Sequence, residues 1–239
     1  MSDADRGRGL ARILPTLPAE PRALVAEIVG TFGLVFCGAG AAAIDADTDG
    51  SLGRVGIGLT FGLVVTAMVL AFGRTSGAHI NPAVTLGLWL AGRFPGRRTA
   101  PYLMAQLVGA LVAAAALRGV LGGTPGDLGA TLPAGDEWQS FGLEIVLTFL
   151  LMYVILAVAH QARAPLPVVA VAAGAVVGLE ATFAGGISGA SMNPARSFGP
   201  AAVAGAWEDH WVYWAAPAIG ATIAAALHTL LRPADGSRG

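Results

Sequence analysis

The sequence predicts an all-α membrane protein in which six transmembrane helices and two re-entrant half-helices form an inverted internal repeat. Three observations predict it. The 239 residues are 55% apolar and only 12% charged, about half the charge that covers an ordinary soluble domain. The apolar residues fall in long runs, each close to the roughly 20 residues that cross a hydrocarbon core about 30 Å thick. Two stretches also recur: EIVGTFGLVF at 27–36 matches EIVLTFLLMY at 144–153, and SGAHINPAVT at 76–85 matches SGASMNPARS at 188–197. The same composition excludes other classes. With 14 basic and 15 acidic side chains the net charge is -1, which leaves no basic field to hold a nucleic acid. Cys37 is the one cysteine, so neither a disulfide framework nor a cysteine-based metal cluster is expected, and no metal or cofactor is implied.

Along the chain, residues 1–21 carry Arg6, Arg8 and Arg12 without a cleavable apolar core and read as a cytoplasmic tail. The first repeat, 22–122, holds uncharged runs at 28–44, 55–72 and 99–117. An external connecting loop follows at 123–139. The second repeat, 140–232, holds runs at 141–159, broken only by Glu144, at 164–179 and at 211–231. Residues 233–239 form a second tail. Arginine placement sets the orientation. With the N-terminus inside, eleven arginines lie in cytoplasmic segments (6, 8, 12, 22, 74, 93, 97, 98, 163, 232 and 238) and three outside, Arg54, Arg118 and Arg196. Both termini are therefore expected in the cytoplasm, and the short tails suggest a bacterial inner (plasma) membrane.

Each repeat contains three spans, an odd number, so the second copy must enter the bilayer from the opposite face. That parity produces a pseudo-two-fold axis in the membrane plane and places functional residues near the midplane where the copies meet. The two Asn-Pro-Ala segments supply such residues. Asn81 and Asn193 stand where a helix N-cap belongs, and Pro82 and Pro194 stand at the first helical position, where a missing N–H costs nothing. The segments after them, 82 to about 90 and 194 to about 203, would be roughly 14 Å long, half a bilayer each. Ala83 and Ala195 complete the two boxes.

Two such half-helices would meet N-terminus to N-terminus. Each end is equivalent to about half a positive charge, so a cation at the junction is repelled while a neutral solute is not. Each Asn can cap its own helix through the amide oxygen and offer amide N–H to a passing molecule. The non-helical residues before each Asn, Gly77, Ala78, His79 and Ile80 in one copy and Gly189 to Met192 including Ser191 in the other, can present carbonyl oxygens as a ladder. Irregular backbone at membrane depth is tolerated where it lines an aqueous cavity. Arg196 breaks a local rule, being a cation in the first turn of a half-helix, and its counterpart in the first repeat is Val84. It is read as a hydrogen-bond donor to solutes and a barrier to cations, against the alternative of an arginine reaching out to the external surface.

At these residues, over about 22–232, the sequence resembles the aquaporin, or major intrinsic protein, family. The resemblance implies a right-handed bundle of six spans and two half-helices, a pore in each protomer and a homotetramer. It implies that Glu27 and Glu144 accept backbone N–H groups of the re-entrant loops. It also implies a constriction of Phe61, Ala181, Ala190 and Arg196. Alanine at position 181 departs from the water-selective pattern, which has histidine there, and with Ala190 implies an opening wide enough for glycerol or metalloid hydroxides such as boric and arsenous acid. Ser197, Ala201, Tyr213 and Trp214 instead resemble water-type members. Glu180, next to the constriction, has two readings, a structural acceptor for an external loop or neighbouring helix and a group at the pore mouth. The expected function is a passive channel for water and small neutral solutes in a lipid bilayer. A strictly water-selective channel and an ion-coupled secondary transporter are the alternatives; no enzyme chemistry is expected.

Overall fold

In a computed structural model the chain is described over residues 17–160 and 164–231. The expected tails, apart from 17–21, and Arg163 and Arg232 lie outside the described residues. The first span combines α1 (Ala19–Leu34), a π-helical turn (Val35–Ala39) and α2 (Gly40–Asp47). It is followed by α3 (Gly53–Phe72), the half-helix α4 (Pro82–Leu90) and α5 (Thr99–Leu121). The second repeat runs through α6 (Glu137–His160), α7 (Leu166–Ala184), the half-helix α8 (Pro194–Ala204) and α9 (Val212–Leu230).

Among the described residues, five helical segments are long and apolar enough to cross a membrane by length and composition: Ala19–Asp47, Gly53–Phe72, Gly96–Leu121, Glu137–Ala159 and Leu166–Ala184. The sixth span, α9, is diluted by Tyr213, Trp214, Pro217 and His228. Its place is set by packing against α6, as α1 packs against α5. These two pairs correspond under the repeat, and they share one contact. A Cβ on Gly109 of α5 would collide with the Ile28 carbonyl oxygen of α1, and one on Gly220 of α9 with the Ile145 carbonyl oxygen of α6. Small residues at such crossings bring backbones together where lipid supplies no hydrophobic drive.

The copies are joined in two ways. Across the axis α3 packs along α7, where Gly62 lies against Gly174 and Gly178. Each half-helix also leaves its own repeat: α4 packs on α9 and α8 on α5. The re-entrant segments are thereby held between the two copies, and the loops before Asn81 and Asn193 meet in the middle of the molecule.

The half-helices begin where the sequence places them. The Asn81 side chain accepts from Ala83 N–H at 2.8 Å, and that of Asn193 accepts from Ala195 and Arg196 N–H at 3.0 and 3.3 Å. Proline follows at the first position of each.

Candidate conducting pore

The loop before each half-helix has an unusual backbone, repeated in both copies. Ala78 and Ile80 have φ of 47° and 44°, and Ala190 and Met192 have 43° and 53°. Left-handed residues other than glycine each carry a cost of order 1 kcal/mol, so something must hold them. The holders are two wholly buried carboxylates, Glu27 and Glu144. Glu27 accepts from His79 N–H at 3.0 Å, Ile80 N–H at 2.7 Å and Ser76 O–H at 2.7 Å. Glu144 accepts from Ser191 N–H at 2.8 Å, Met192 N–H at 2.7 Å and Ser188 O–H at 2.7 Å. Charge-assisted bonds of this kind are about twice as strong as neutral ones.

The direction of the carbonyls follows. The peptide bonds are trans, so each C=O points opposite to the N–H of the next residue. With the N–H groups of His79 and Ile80 turned to Glu27, the carbonyls of Ala78 and His79 face the other way. Those of Ala190 and Ser191 do the same relative to Glu144. That other side is a cavity of about 80 Å³, bordered by Gly77, Ala78, His79, Ile80 and Asn81 from one loop and Ala190, Ser191, Met192, Asn193 and Arg196 from the other. At roughly 10–15 Å³ per water, it holds a file of several molecules. The opposite wall is apolar, with Leu34, Phe61, Val65, Val69, Ala173 and Val177 among its residues. A solute therefore meets acceptors and donors along one side only.

At the centre the two loops are tied to each other. Asn81 Nδ2 donates to the Met192 carbonyl at 2.8 Å and Asn193 Nδ2 to the Ile80 carbonyl at 2.9 Å. The expected offer of amide N–H to a permeating molecule is thus halved: one hydrogen of each amide crosses the axis and one is left for the lumen. Pro82, Ala83, Pro194 and Ala195 are buried behind the two asparagines.

Three of the four residues expected to form a constriction, Phe61, Ala190 and Arg196, border the cavity together. The Arg196 guanidinium carbon lies 4.9 Å from the Phe61 ring centroid, within cation–π range, and Ala190 borders the same space. Arg196 is only 3% exposed, so it does not reach out to the external surface. Its Nη1 donates to the Gly129 carbonyl at 2.6 Å, an anchor in the loop connecting the two repeats that the sequence reading missed. Ala181 and Gly189 do not border the cavity. Ala181 carries a single methyl and lies buried one turn beyond Val177 on the same face of α7; Gly189 has no side chain and packs against Thr131.

Ser197, Ala201, Tyr213 and Trp214 are also absent from that wall. Tyr213 O–H donates to the Ser188 carbonyl at 2.8 Å, and Ser197 Oγ bonds with Thr131 and Ser191. Tyr213 and Ser197 thus hold the second loop and do not line the lumen. Tyr102 does for the first loop what Tyr213 does for the second, donating to the Ser76 carbonyl at 2.9 Å. Gln106 has no such counterpart: its Nε2 donates to Glu27 at 2.8 Å, and the matching position of α9 is Pro217. The His79 ring lies between Phe94 and Tyr102, at 4.7 and 5.1 Å between centroids.

Glu180 meets neither expectation. It is 1% exposed and does not border the cavity. No donor reaches either carboxylate oxygen, so it does not serve as an acceptor for a loop or helix. At 100° per residue it is rotated off the face that carries Ala173, Val177 and Ala181.

Comparison with known proteins agrees with this geometry. Residues 16–228 match the model of the family described as major intrinsic protein. The chain is 46% identical over 212 residues to the rice (Oryza sativa subsp. japonica) aquaporin NIP1-3, covering 89% of this chain and 74% of that one. It is 39% identical over 212 residues to nodulin-26 of Glycine max, covering 89% and 78%. Among solved structures, the aquaglyceroporin from Plasmodium falciparum superposes with a TM-score of 0.81 at 26% identity, covering 89% of this chain and 96% of that one. By family match, relatives and fold alike, the chain belongs to the major intrinsic protein family of membrane channels.

Proposed function

We propose that this protein is a passive channel for water and small neutral solutes that excludes protons and ions. The observation that carries the proposal is the pair of half-helices, capped by Asn81 and Asn193 and cross-tied through Met192 and Ile80. Two converging helix N-termini oppose a cation at the midpoint. Each asparagine still has an N–H to donate to a solute oxygen, and the carbonyls of Ala78, His79, Ala190 and Ser191 accept from it. A water held to both asparagines uses its acceptor side there, which interrupts a hydrogen-bonded chain along which protons could pass. The ion-coupled transporter alternative has little support, because the acidic residues deep in the bundle other than Glu180 are occupied in holding the loops.

We propose further that Phe61, Ala181, Ala190 and Arg196 set selectivity. The single methyl of Ala190 beside one aromatic ring and one guanidinium, with Ala181 placing no side chain in the lumen, leaves room for a molecule larger than water, with Arg196 as donor to its hydroxyl oxygens. Glycerol and neutral metalloid hydroxides such as boric and arsenous acid fit that description, and the structural neighbour is itself named an aquaglyceroporin. Assembly is proposed to be homotetrameric, consistent with exposed Leu59, Leu63, Leu179 and Phe183 on the outer faces of α3 and α7. We keep the membrane and not the bacterial host: the relatives named are plant proteins, which speaks against the bacterial inner membrane expected from the tails.

Stopped-flow light scattering of proteoliposomes tests the reading, with water, glycerol and boric acid in parallel. All three are expected to permeate faster than through empty liposomes, without saturation and independently of a proton gradient. Flux of water alone would establish the strictly water-selective alternative. Saturable, proton-dependent flux would establish a transporter.

A further inference from the structure

α1 and α5 are in backbone contact where Gly109 lies against Ile28. Toward the cytoplasmic side they diverge and open a cleft of about 230 Å³, lined by Glu20, Leu24, Arg97, Arg98, Pro101 and Tyr102. Its two cations differ in how they are held. Arg98 lies over the rings of Phe94 and Tyr102, at 5.7 and 5.3 Å from their centroids, and its Nη2 donates to Tyr102 Oη at 3.2 Å. That fixes its guanidinium at the inner wall of the cleft. Arg97 is exposed at the mouth.

The cleft is amphipathic in a definite order. Its cationic end is at the cytoplasmic boundary, and its floor is Leu24 and Pro101. One to two turns deeper, the same two helices expose Val25 and Val29 on one side and Met104 and Val108 on the other. A polar anion alone would use only the first part of this surface. A molecule with an anionic head and an apolar tail uses all of it.

We propose that this cleft binds an anionic phospholipid of the cytoplasmic leaflet, its phosphate between Arg97 and Arg98 and its acyl chain along the α1–α5 seam. Arginine suits the task because its planar fork pairs with two phosphate oxygens at once. Glu20, the one acidic residue of the lining, works against the ligand and tunes the affinity downward. The site lies apart from the pore, and it does not depend on which solute the pore conducts.

The test is native mass spectrometry of the detergent-purified full chain. It compares retention of phosphatidylglycerol with that of phosphatidylcholine of the same acyl chains. Phosphatidylglycerol is expected to be retained preferentially. Arg97→Gln should weaken that retention about fivefold, the ratio for about 1 kcal/mol per juxtamembrane arginine. Glu20→Gln should strengthen it, while Arg93→Gln, outside the cleft, should leave it unchanged. Because Arg97 and Glu20 are exposed, neither variant threatens folding. Equal retention of the two lipids would overturn the proposal. So would an equal loss in the Arg93 variant, which would reduce the effect to general surface charge. Complete displacement of the lipid by excess inorganic phosphate would overturn it in favour of a soluble phosphate site.

Discussion

At the scale of single residues, the described residues concentrate their buried charge at Glu27, Glu144, Glu180 and Arg196, and the structure gives them unequal support. Glu144 satisfies three donors that would otherwise be buried without a partner. Hydrogen bonds to charged groups contribute about 1.5–3 kcal/mol each. Glu144→Ala should therefore destabilise the protein by about 3 kcal/mol or more and abolish rapid water flux, as thermal unfolding and stopped-flow on the same preparation would show. Glu144→Gln, which keeps an acceptor oxygen, should lose less of both. Arg196→Val places in the second repeat what Val84 is in the first; glycerol flux should rise and the barrier to cations should fall, measured as solute swelling and ion leak in proteoliposomes. Glu180 is buried and has no donors. Replacing an unsatisfied buried carboxyl by an apolar side chain of similar size is neutral or favourable, so Glu180→Leu should raise the unfolding temperature without loss of water flux. His210, in the turn before α9, has both ring nitrogens unpartnered between Trp207 and Tyr213, and burial holds its pKa below the usual 6.5. A lowered histidine pKa means that protonation opposes folding: stability is flat above about pH 6.5 and falls below it. His210→Phe should flatten that acid limb in a thermal-unfolding series against pH.

At the scale of elements, what was legible in the sequence was whatever local chemistry enforces. Asn-Pro at 81–82 and 193–194 states a capped helix start in four atoms of hydrogen-bond geometry, and α4 and α8 begin there. The carbonyl ladder was legible only as a possibility. Ser76 and Ser188 contribute locally, accepting from the Ala78 and Ala190 N–H groups, but the groups that hold Ile80 and Met192 are carboxylates about fifty positions earlier in the chain. The π-helical turn at Val35–Ala39 and the failure of Ala181 to border the cavity likewise follow from how helices pack, which no periodicity in the runs encodes. The helix crossings carry their own prediction. Gly220→Val would drive a branched side chain into the Ile145 carbonyl of α6, separating α6 from α9 and moving Tyr213 off the Ser188 carbonyl. Such a variant should fold poorly or assemble in low yield, by size-exclusion chromatography, and Gly109→Val should do the same through α1 and α5.

At the scale of the whole molecule, the duplicated sequence becomes a channel because each half-helix is packed on the third span of the other repeat, α4 on α9 and α8 on α5. Each copy holds its own re-entrant loop through a buried glutamate, and the two loops are then tied to each other, Asn81 to Met192 and Asn193 to Ile80. The sequence by itself determined the membrane setting, the internal repeat and the two helix starts, because sparse charge, long apolar runs, recurring stretches and Asn-Pro caps act within one segment or between matching ones. Only the tertiary structure decided which carbonyls face the lumen, that Gly129 anchors Arg196, and that Glu180 is left without a partner. Those outcomes depend on contacts between segments far apart in the chain, where a buried donor finds an acceptor or does not according to how the helices cross.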